Sequence, residues 1–393
     1  MTSSLERSLR GALMALLLFA SCMKADMRRP GEWIEARARA DARVNTLIES
    51  GRFDEALGIA DSLIAAGEND SRTLGQKARA LGGLGRGDEA IAVFEEAILA
   101  DYENCENHLH FAIYLMRLEK TGRAQTEFVE AKRFCEGKYD ALIYRNLAVA
   151  GIKLDKRDLA RQYVEEGLRR DANDPYLNGL KGMLVARENP VSAESLFVKA
   201  RSLGEASPEF LVQYGLLLIN EGRPREAADV LEEASRLRPG DREITVYLAE
   251  ALDRAGDYAG ARAILNDILT AKDDVEIRKL LARVLFHEGD YEEALKLYLK
   301  LDQSPEVMDR IAMCLHSLGK PDEAIPWARK ALAARPDWPQ GMINLAVILA
   351  SRGELDEAAS LLGRALLLEP GNVSARVNLD RLEETKKKQS HQK

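Results

Sequence analysis

Aromatic residues make up 6% of this 393-residue chain, which also holds just 4 cysteines, 5 histidines and 12 prolines. So few aromatics, against an abundance of Ala, Leu, Glu and Arg, favour helix nearly everywhere. No block of basic residues is present. The net charge is −8, with acid and base interleaved, which describes a solvated helical surface and excludes the clustered basic face of a nucleic-acid binder. No apolar run approaches the roughly 20 residues that a membrane-spanning helix needs. At 46% apolar and 31% charged residues, the balance also excludes a disordered chain.

Catalytic constellations are missing as well. The histidines (His108, His110, His287, His316 and His391) form no HExxH, and no nucleophile elbow or Ser/His/Asp ordering appears. Gly82-Gly-Leu-Gly-Arg-Gly87 has the look of a phosphate loop, but no strand precedes it and it lacks the Lys-Ser/Thr that meets phosphates. It reads as a turn between helices. The expectation is therefore a protein that is not an enzyme, with no cofactor and no metal.

What the chain does have is a period. Gly289-Asp-Tyr-Glu-Glu-Ala294 opens an amphipathic helix, and Gly51-Arg-Phe-Asp-Glu-Ala56, Gly256-Asp-Tyr-Ala-Gly-Ala261, Gly319-Lys-Pro-Asp-Glu-Ala324 and Gly353-Glu-Leu-Asp-Glu-Ala358 repeat it. Aligned on the alanine, the series is Ala56, Ala90, Ala124, Ala160, Ala193, Ala227, Ala261, Ala294, Ala324 and Ala358, with spacings between 30 and 36 residues. Apolar or small residues follow at offsets of four and seven, on one helical face. Twelve residues before most of these alanines stands another small residue, such as Ala78, Ala112, Ala148, Gly215 or Ala249. Two helices that cross closely need small side chains on both, and this pairing supplies them. Glycines between the helices suit a left-handed helix end. The spacing of 30 between Ala294 and Ala324 removes about one helical turn. Asn189-Pro190 replaces the glycine turn in the fifth copy.

These copies resemble the tetratricopeptide repeat, a family of helix-turn-helix units about 34 residues long. The likeness covers residues 37–372, in ten units. It implies an all-α fold: a right-handed superhelical solenoid of about ten repeats, closed by a C-terminal capping helix. The segment Asn372 to Glu384, with Val373, Val377, Leu379 and Leu382 as its apolar stripe, is expected to be that cap. The end of residues 373–393, from Lys386, reads as a basic disordered tail.

The resemblance further implies that the first helix of each unit lines a concave groove. Carried onto this chain, the groove positions are Leu109, Ile113, Met116, Leu142, Arg145, Val149, Ile152, Met183, Val212, Leu216 and Ile219. Charged positions flank them: Arg72 and Arg79 on one side, and Glu243, Glu250, Asp253, Lys279 and Arg283 on the other. Such an apolar floor with charged ends suits an amphipathic helix or extended segment of a partner protein. The competing reading is that curvature buries these residues between neighbouring units. Asn146 beside Arg145, and separately Asn344, partly resemble the clamp by which some members hold a peptide carboxylate. Neither has the full basic set in adjacent units.

Cys105 opens the first helix of the third unit and Cys135 closes its second, so antiparallel helices bring the two thiols together. A disulfide and a pair of free thiols both fit. A metal held with His108 and His110 is a third arrangement. Cys314 reads as a small buried apolar residue.

The first residues are a separate object. Arg7 and Arg10 precede the apolar run Gly11 to Ala20, as in a signal peptide. Phe19-Ala20-Ser21-Cys22 resembles the bacterial lipobox. The resemblance implies that residues 1–21 are a lipoprotein signal peptide cleaved after Ser21, that Cys22 carries a lipid, and that residues 22–36 form the lipidated N-terminus and a tether. Met23 after the cysteine points, by the same resemblance, to the periplasmic face of the outer membrane. The expectation is a lipid-anchored adaptor in a multiprotein envelope complex serving a pilus, outer-membrane insertion or polysaccharide export. A self-oligomerising structural solenoid, or an enzyme with an unrecognised site, are the rivals.

Overall fold

The computed structural model describes residues 30–391 except 206, 272 and 273. The expected signal peptide, Cys22 and the start of the tether lie outside the described residues. Among the described residues there are 21 helices and no strand. Two units divide at Glu205.

The N-terminal unit holds five helix pairs: α1 (Pro30–Glu49) with α2 (Phe53–Ala65), α3 (Ser71–Gly83) with α4 (Gly87–Ala100), α5 (Cys105–Arg117) with α6 (Thr121–Phe134), α7 (Asp140–Lys153) with α8 (Arg157–Arg170), and α9 (Pro175–Val185) with α10 (Pro190–Ser202). The C-terminal unit holds five more: α11 (Pro208–Asn220) with α12 (Pro224–Leu237), α13 (Arg242–Ala255) with α14 (Tyr258–Ala271), α15 (Val275–Glu288) with α16 (Tyr291–Tyr298), α17 (Pro305–Ser317) with α18 (Pro321–Ala334), and α19 (Pro339–Ser351) with α20 (Leu355–Leu368). A last helix, α21 (Val373–His391), follows.

Each pair closes where the small residues meet. All ten aligned alanines, from Ala56 to Ala358, are 0% exposed. Opposite them Ala112, Ala148, Ala249, Ala282 and Ala312 are equally buried. Glycine takes the place of alanine where a ring or a branched side chain needs the room. A Cβ at Gly215 would stand 2.6 Å from Leu231, and one at Gly182 would stand 2.9 Å from Phe197. Close-packed interiors do not absorb such overlaps without backbone movement.

Most turns within pairs end the first helix on a left-handed glycine, as at Gly256 (φ 85°) and Gly289 (φ 94°). The third and fourth pairs differ. There Glu119 (φ 58°) and Asp155 (φ 55°) hold the left-handed position, a conformation that costs a residue with a Cβ about 1 kcal/mol. In the fifth pair Asn189 instead caps α10, its side chain accepting from Ser192 N at 3.0 Å. The shortened spacing falls in α16, which has 8 residues. Ser304 then caps α17 through Val307 N at 3.3 Å.

The closing helix packs differently from the stripe read in the sequence. Val373 and Val377 are 72% and 40% exposed, whereas Ala375 and Leu382 are buried. At about 100° per residue, Val373 and Val377 lie nearly opposite Leu379 and Leu382, so one face cannot hold all four. Helix α21 buries the second face against α19 and α20. It runs on through Lys386–Lys388 to His391.

Candidate functional site

In the N-terminal unit the expected groove residues separate into three groups. Ile113, Met116, Val149, Ile152 and Met183 are half-buried, and Leu142 is exposed. Leu109 is buried at 1% exposure and offers nothing to a partner. Its helix α5 packs on the first helix α3 and on its own partner α6. Arg145 is already occupied: its Nε and Nη2 donate to Asp174 at 2.9 and 2.7 Å. Asp174 also caps α9 through Leu177 N at 2.8 Å. The Asn146 amide donates to the Leu142 carbonyl of its own helix at 2.8 Å.

In the C-terminal unit Leu216 is half-buried, but Val212 and Ile219 are buried, since α11 packs directly on α13. Asn344 is also enclosed; its Nδ2 donates to Asp309 Oδ2 at 2.8 Å and its Oδ1 accepts from Gln340 at 2.8 Å. Asn344 is thus committed to Asp309 and Gln340, while Asn146 stays half-buried on α7.

The cysteine and histidine candidates cluster in the third pair. Cys105 and Cys135 form a disulfide, with Cα atoms 5.2 Å apart. His108 lies beneath it, buried, with Nδ1 2.7 Å from Glu127 Oε2 and Nε2 2.9 Å from the Tyr102 carbonyl. Burial opposes protonation of His108, but the Glu127 carboxylate and that carbonyl outweigh it and hold its pKa above the ordinary value. His110 goes the other way, pushed down to about 4 by burial and by Arg79. Cys314 is 0% exposed, and burial pushes its thiol up to about 12.

A cavity of about 430 Å³ opens in the C-terminal unit. Helix α13 contributes Arg242, Val246 and Glu250, helix α15 contributes Glu276, Lys279, Leu280 and Arg283, and helix α17 contributes Glu306, Val307 and Arg310. All three are first helices of their pairs. Tyr298, the last residue of the short α16, completes the wall at 3% exposure. The four-residue steps Arg242–Val246–Glu250 and Glu276–Leu280 put each set on one helical face.

Several of these charges are spent on neighbours. Arg242 donates to Asp274 at 2.8 Å, and Arg283 donates to the buried Asp253 at 3.1 Å, which His287 Nδ1 also meets at 2.7 Å. Glu250 pairs with Arg254 at 2.7 Å and Glu306 with Arg335 at 2.9 Å. Glu243 accepts from the Tyr247 hydroxyl outside the cavity. Lys279 and Arg310 make no ion pair among the described residues; Arg310 lies over the Phe286 ring, 5.7 Å from its centroid. Burial raises the Tyr298 pKa, so its hydroxyl keeps its proton.

Of this wall the sequence pattern had marked Glu250, Lys279 and Arg283. Val246 and Leu280 share the cavity walls of α13 and α15 with those residues, and Arg310 follows one pair further along on α17, a signal available from the period. Tyr298 was not foreseeable, because it reaches the inner side only where α16 stops early.

Paired helices in ten copies, with first helices walling a hollow, define a helical-repeat binding protein. Models of the family described as tetratricopeptide repeat match residues 218–284 and 315–379, and residues 42–104 and 270–307, together more than half of the chain. The chain belongs to the tetratricopeptide repeat family, whose fold serves protein–protein interaction. It is similar to the human protein O-mannosyl-transferase TMTC1, at 27% identity over 205 residues that cover 50% of this chain and 23% of that protein's length. Its fold is similar to that of Pseudomonas aeruginosa pilF, at 18% identity and a TM-score of 0.50, covering 55% of this chain and 98% of that one. Yeast Tom70 aligns over 91% of this chain and 96% of its own, at 14% identity and a TM-score of 0.40.

Proposed function

We propose that this protein is a non-catalytic scaffold that holds a segment of another protein against the inner faces of its first helices. The observation that carries the reading is the cavity of about 430 Å³, whose wall comes almost entirely from three successive first helices and mixes apolar with charged side chains. A ligand site of that make-up fixes orientation through a few polar groups and gains affinity from the apolar ones. In the N-terminal unit the half-buried Ile113, Met116, Val149 and Ile152 give the same side of the repeats an apolar character.

The proposal includes a place. Gly11 to Ala20 and the Phe19–Cys22 segment support a chain lipidated on Cys22 at the periplasmic face of the outer membrane, working in assembly of an envelope complex. A diacylglyceryl group on one cysteine carries two acyl chains, which meets the need of stable anchoring for more than one.

Cross-linking in cells followed by mass spectrometry tests both parts, with photoreactive residues placed at Val149 and Leu280. Cross-links from both positions to one partner are expected, and Cys22→Ala is expected to release the protein from the membrane fraction while leaving purified binding intact. Cross-links only to a second copy of this chain would replace the adaptor with a self-assembling rod, and unchanged membrane retention of Cys22→Ala would remove the lipid anchor.

A further inference from the structure

We infer that the cavity of the seventh to ninth repeats takes an acidic, extended segment of the partner, reading its side-chain carboxylates with Lys279 and Arg310; this rests on the scaffold reading above.

Charge bookkeeping on the wall leads there. Arg242, Arg283, Glu250 and Glu306 are each tied to an opposite charge. What remains uncommitted is two cations, Lys279 and Arg310, against the single carboxylate of Glu276. Arg310 is half-buried over the Phe286 ring and feels the Asp309 carboxyl without forming an ion pair with it, so its guanidinium donors remain open to a ligand anion. The surplus is local: the whole chain carries −8, so an acidic ligand is repelled elsewhere and drawn here within roughly one Debye length, about 8 Å in physiological salt.

A second, independent observation points into the same space. Tyr298 lines the cavity, is 3% exposed, and its hydroxyl meets no hydrogen-bond partner among the described residues. The hydroxyl itself keeps its access to the cavity, so a ligand entering there can meet it. With Arg310 and Arg283 as its cationic neighbours, the phenol O–H can donate to an anionic acceptor.

The layout favours a peptide over a small anion. The cations sit on different helices, and each helix also presents one apolar side chain: Val246, Leu280 or Val307. Neighbouring helices lie about 8–10 Å apart, so three in succession span about 20 Å. An extended chain covers that in roughly six residues. Acidic and apolar side chains in alternation would match cation and aliphatic positions along it.

The test uses the purified full-length protein and a fluorescein-labelled peptide of about eight residues alternating glutamate and leucine, acetylated and amidated so that no terminal carboxylate is present. Anisotropy is expected to show saturable binding that weakens with salt, reduced roughly fivefold by Lys279→Ala or by Arg310→Ala and by Tyr298→Phe to a lesser degree. The double reversal Lys279→Glu/Arg310→Glu should abolish it and gain binding to the same peptide with lysine for glutamate, which guards against a misfolded variant. If a glutamine version binds as well as the glutamate one, or the reversal changes nothing, the carboxylate reading is overturned while an apolar scaffold site stands. If no peptide binds, it is overturned too, and the cross-linking at Val149 decides separately whether the scaffold reading goes with it.

Discussion

At the scale of single residues, the most consequential side chain outside the cavity is Asp309. It is 2% exposed; one oxygen accepts from Asn344, and Oδ1 meets no donor among the described residues. Desolvation pushes its pKa up to about 6, against the pull of Asn344 and Arg310. A carboxyl whose folded pKa lies above its ordinary 3.8 is bound more tightly to its proton when folded. Its contribution is therefore complete below about pH 4, lost as pH rises through about 6, and flat above that. The loss amounts to about 3 kcal/mol. Asp309→Asn is expected to raise the melting temperature of the C-terminal unit at pH 7 and to flatten its pH dependence between 4 and 6, as followed by circular dichroism; an unchanged slope would show that the carboxyl ionises freely. Small residues make the opposite case. Gly215→Val places its Cβ 2.6 Å from Leu231, and overpacking of this kind costs about 1–3 kcal/mol, measurable as a lower denaturation midpoint.

At the scale of elements, the third pair is the one held by a covalent bond. The disulfide joins the first turn of α5 to the end of α6 across a separation of 30 residues, and in the same pair Tyr102, His108 and Phe134 pack on one another with centroids 5.1 to 6.1 Å apart. Closing a loop of that length stabilises by about 3.5 kcal/mol in the chain-entropy account. Cys105→Ser and Cys135→Ser should each lower the unfolding free energy by that order. Dithiothreitol should do the same to the wild type and nothing to the variants; a wild type indifferent to reductant would mean free thiols. The elements also show what a sequence can and cannot disclose. The helix pairs were legible because the small residue at each crossing has no alternative that packs, which is why Ala56 through Ala358 could be aligned and all prove buried. The turns at Glu119 and Asp155 were not, because a left-handed acidic residue leaves no mark in a sequence where acids are everywhere on the surface. Leu109, Val212 and Ile219 look like Ile113 and Val149 in the register. What separates them is burial in the assembled repeats, a tertiary fact that no single repeat encodes. Part of the cavity wall was readable for the converse reason, since Glu250, Lys279 and Arg283 recur on the inner face by period alone.

For the molecule as a whole, the governing fact is that a repeat array has an end, and the last pair would otherwise present its packing surface to water. Stability in such arrays is close to a sum of repeat and nearest-neighbour terms, so the terminal interface counts for as much as an internal one. Here α21 supplies it, burying Ala375 and Leu382 against α19 and α20. Lys386 adds a surface pair with Asp356 at 2.6 Å, which is worth little. Ending the chain at residue 372 would expose the faces of α19 and α20 that now pack against α21. The loss should fall on the C-terminal unit alone: its melting transition should drop while that of the N-terminal unit stays in place, because each repeat feels only its neighbours. The bared face is also self-complementary in composition, so the truncated protein should show a concentration-dependent rise in sedimentation coefficient that the full-length protein does not. If the full-length protein self-associates as strongly, the exposed Val373 and Val377, together with Leu367 at 82% exposure, are the surface responsible, and the closing helix joins copies instead of ending one.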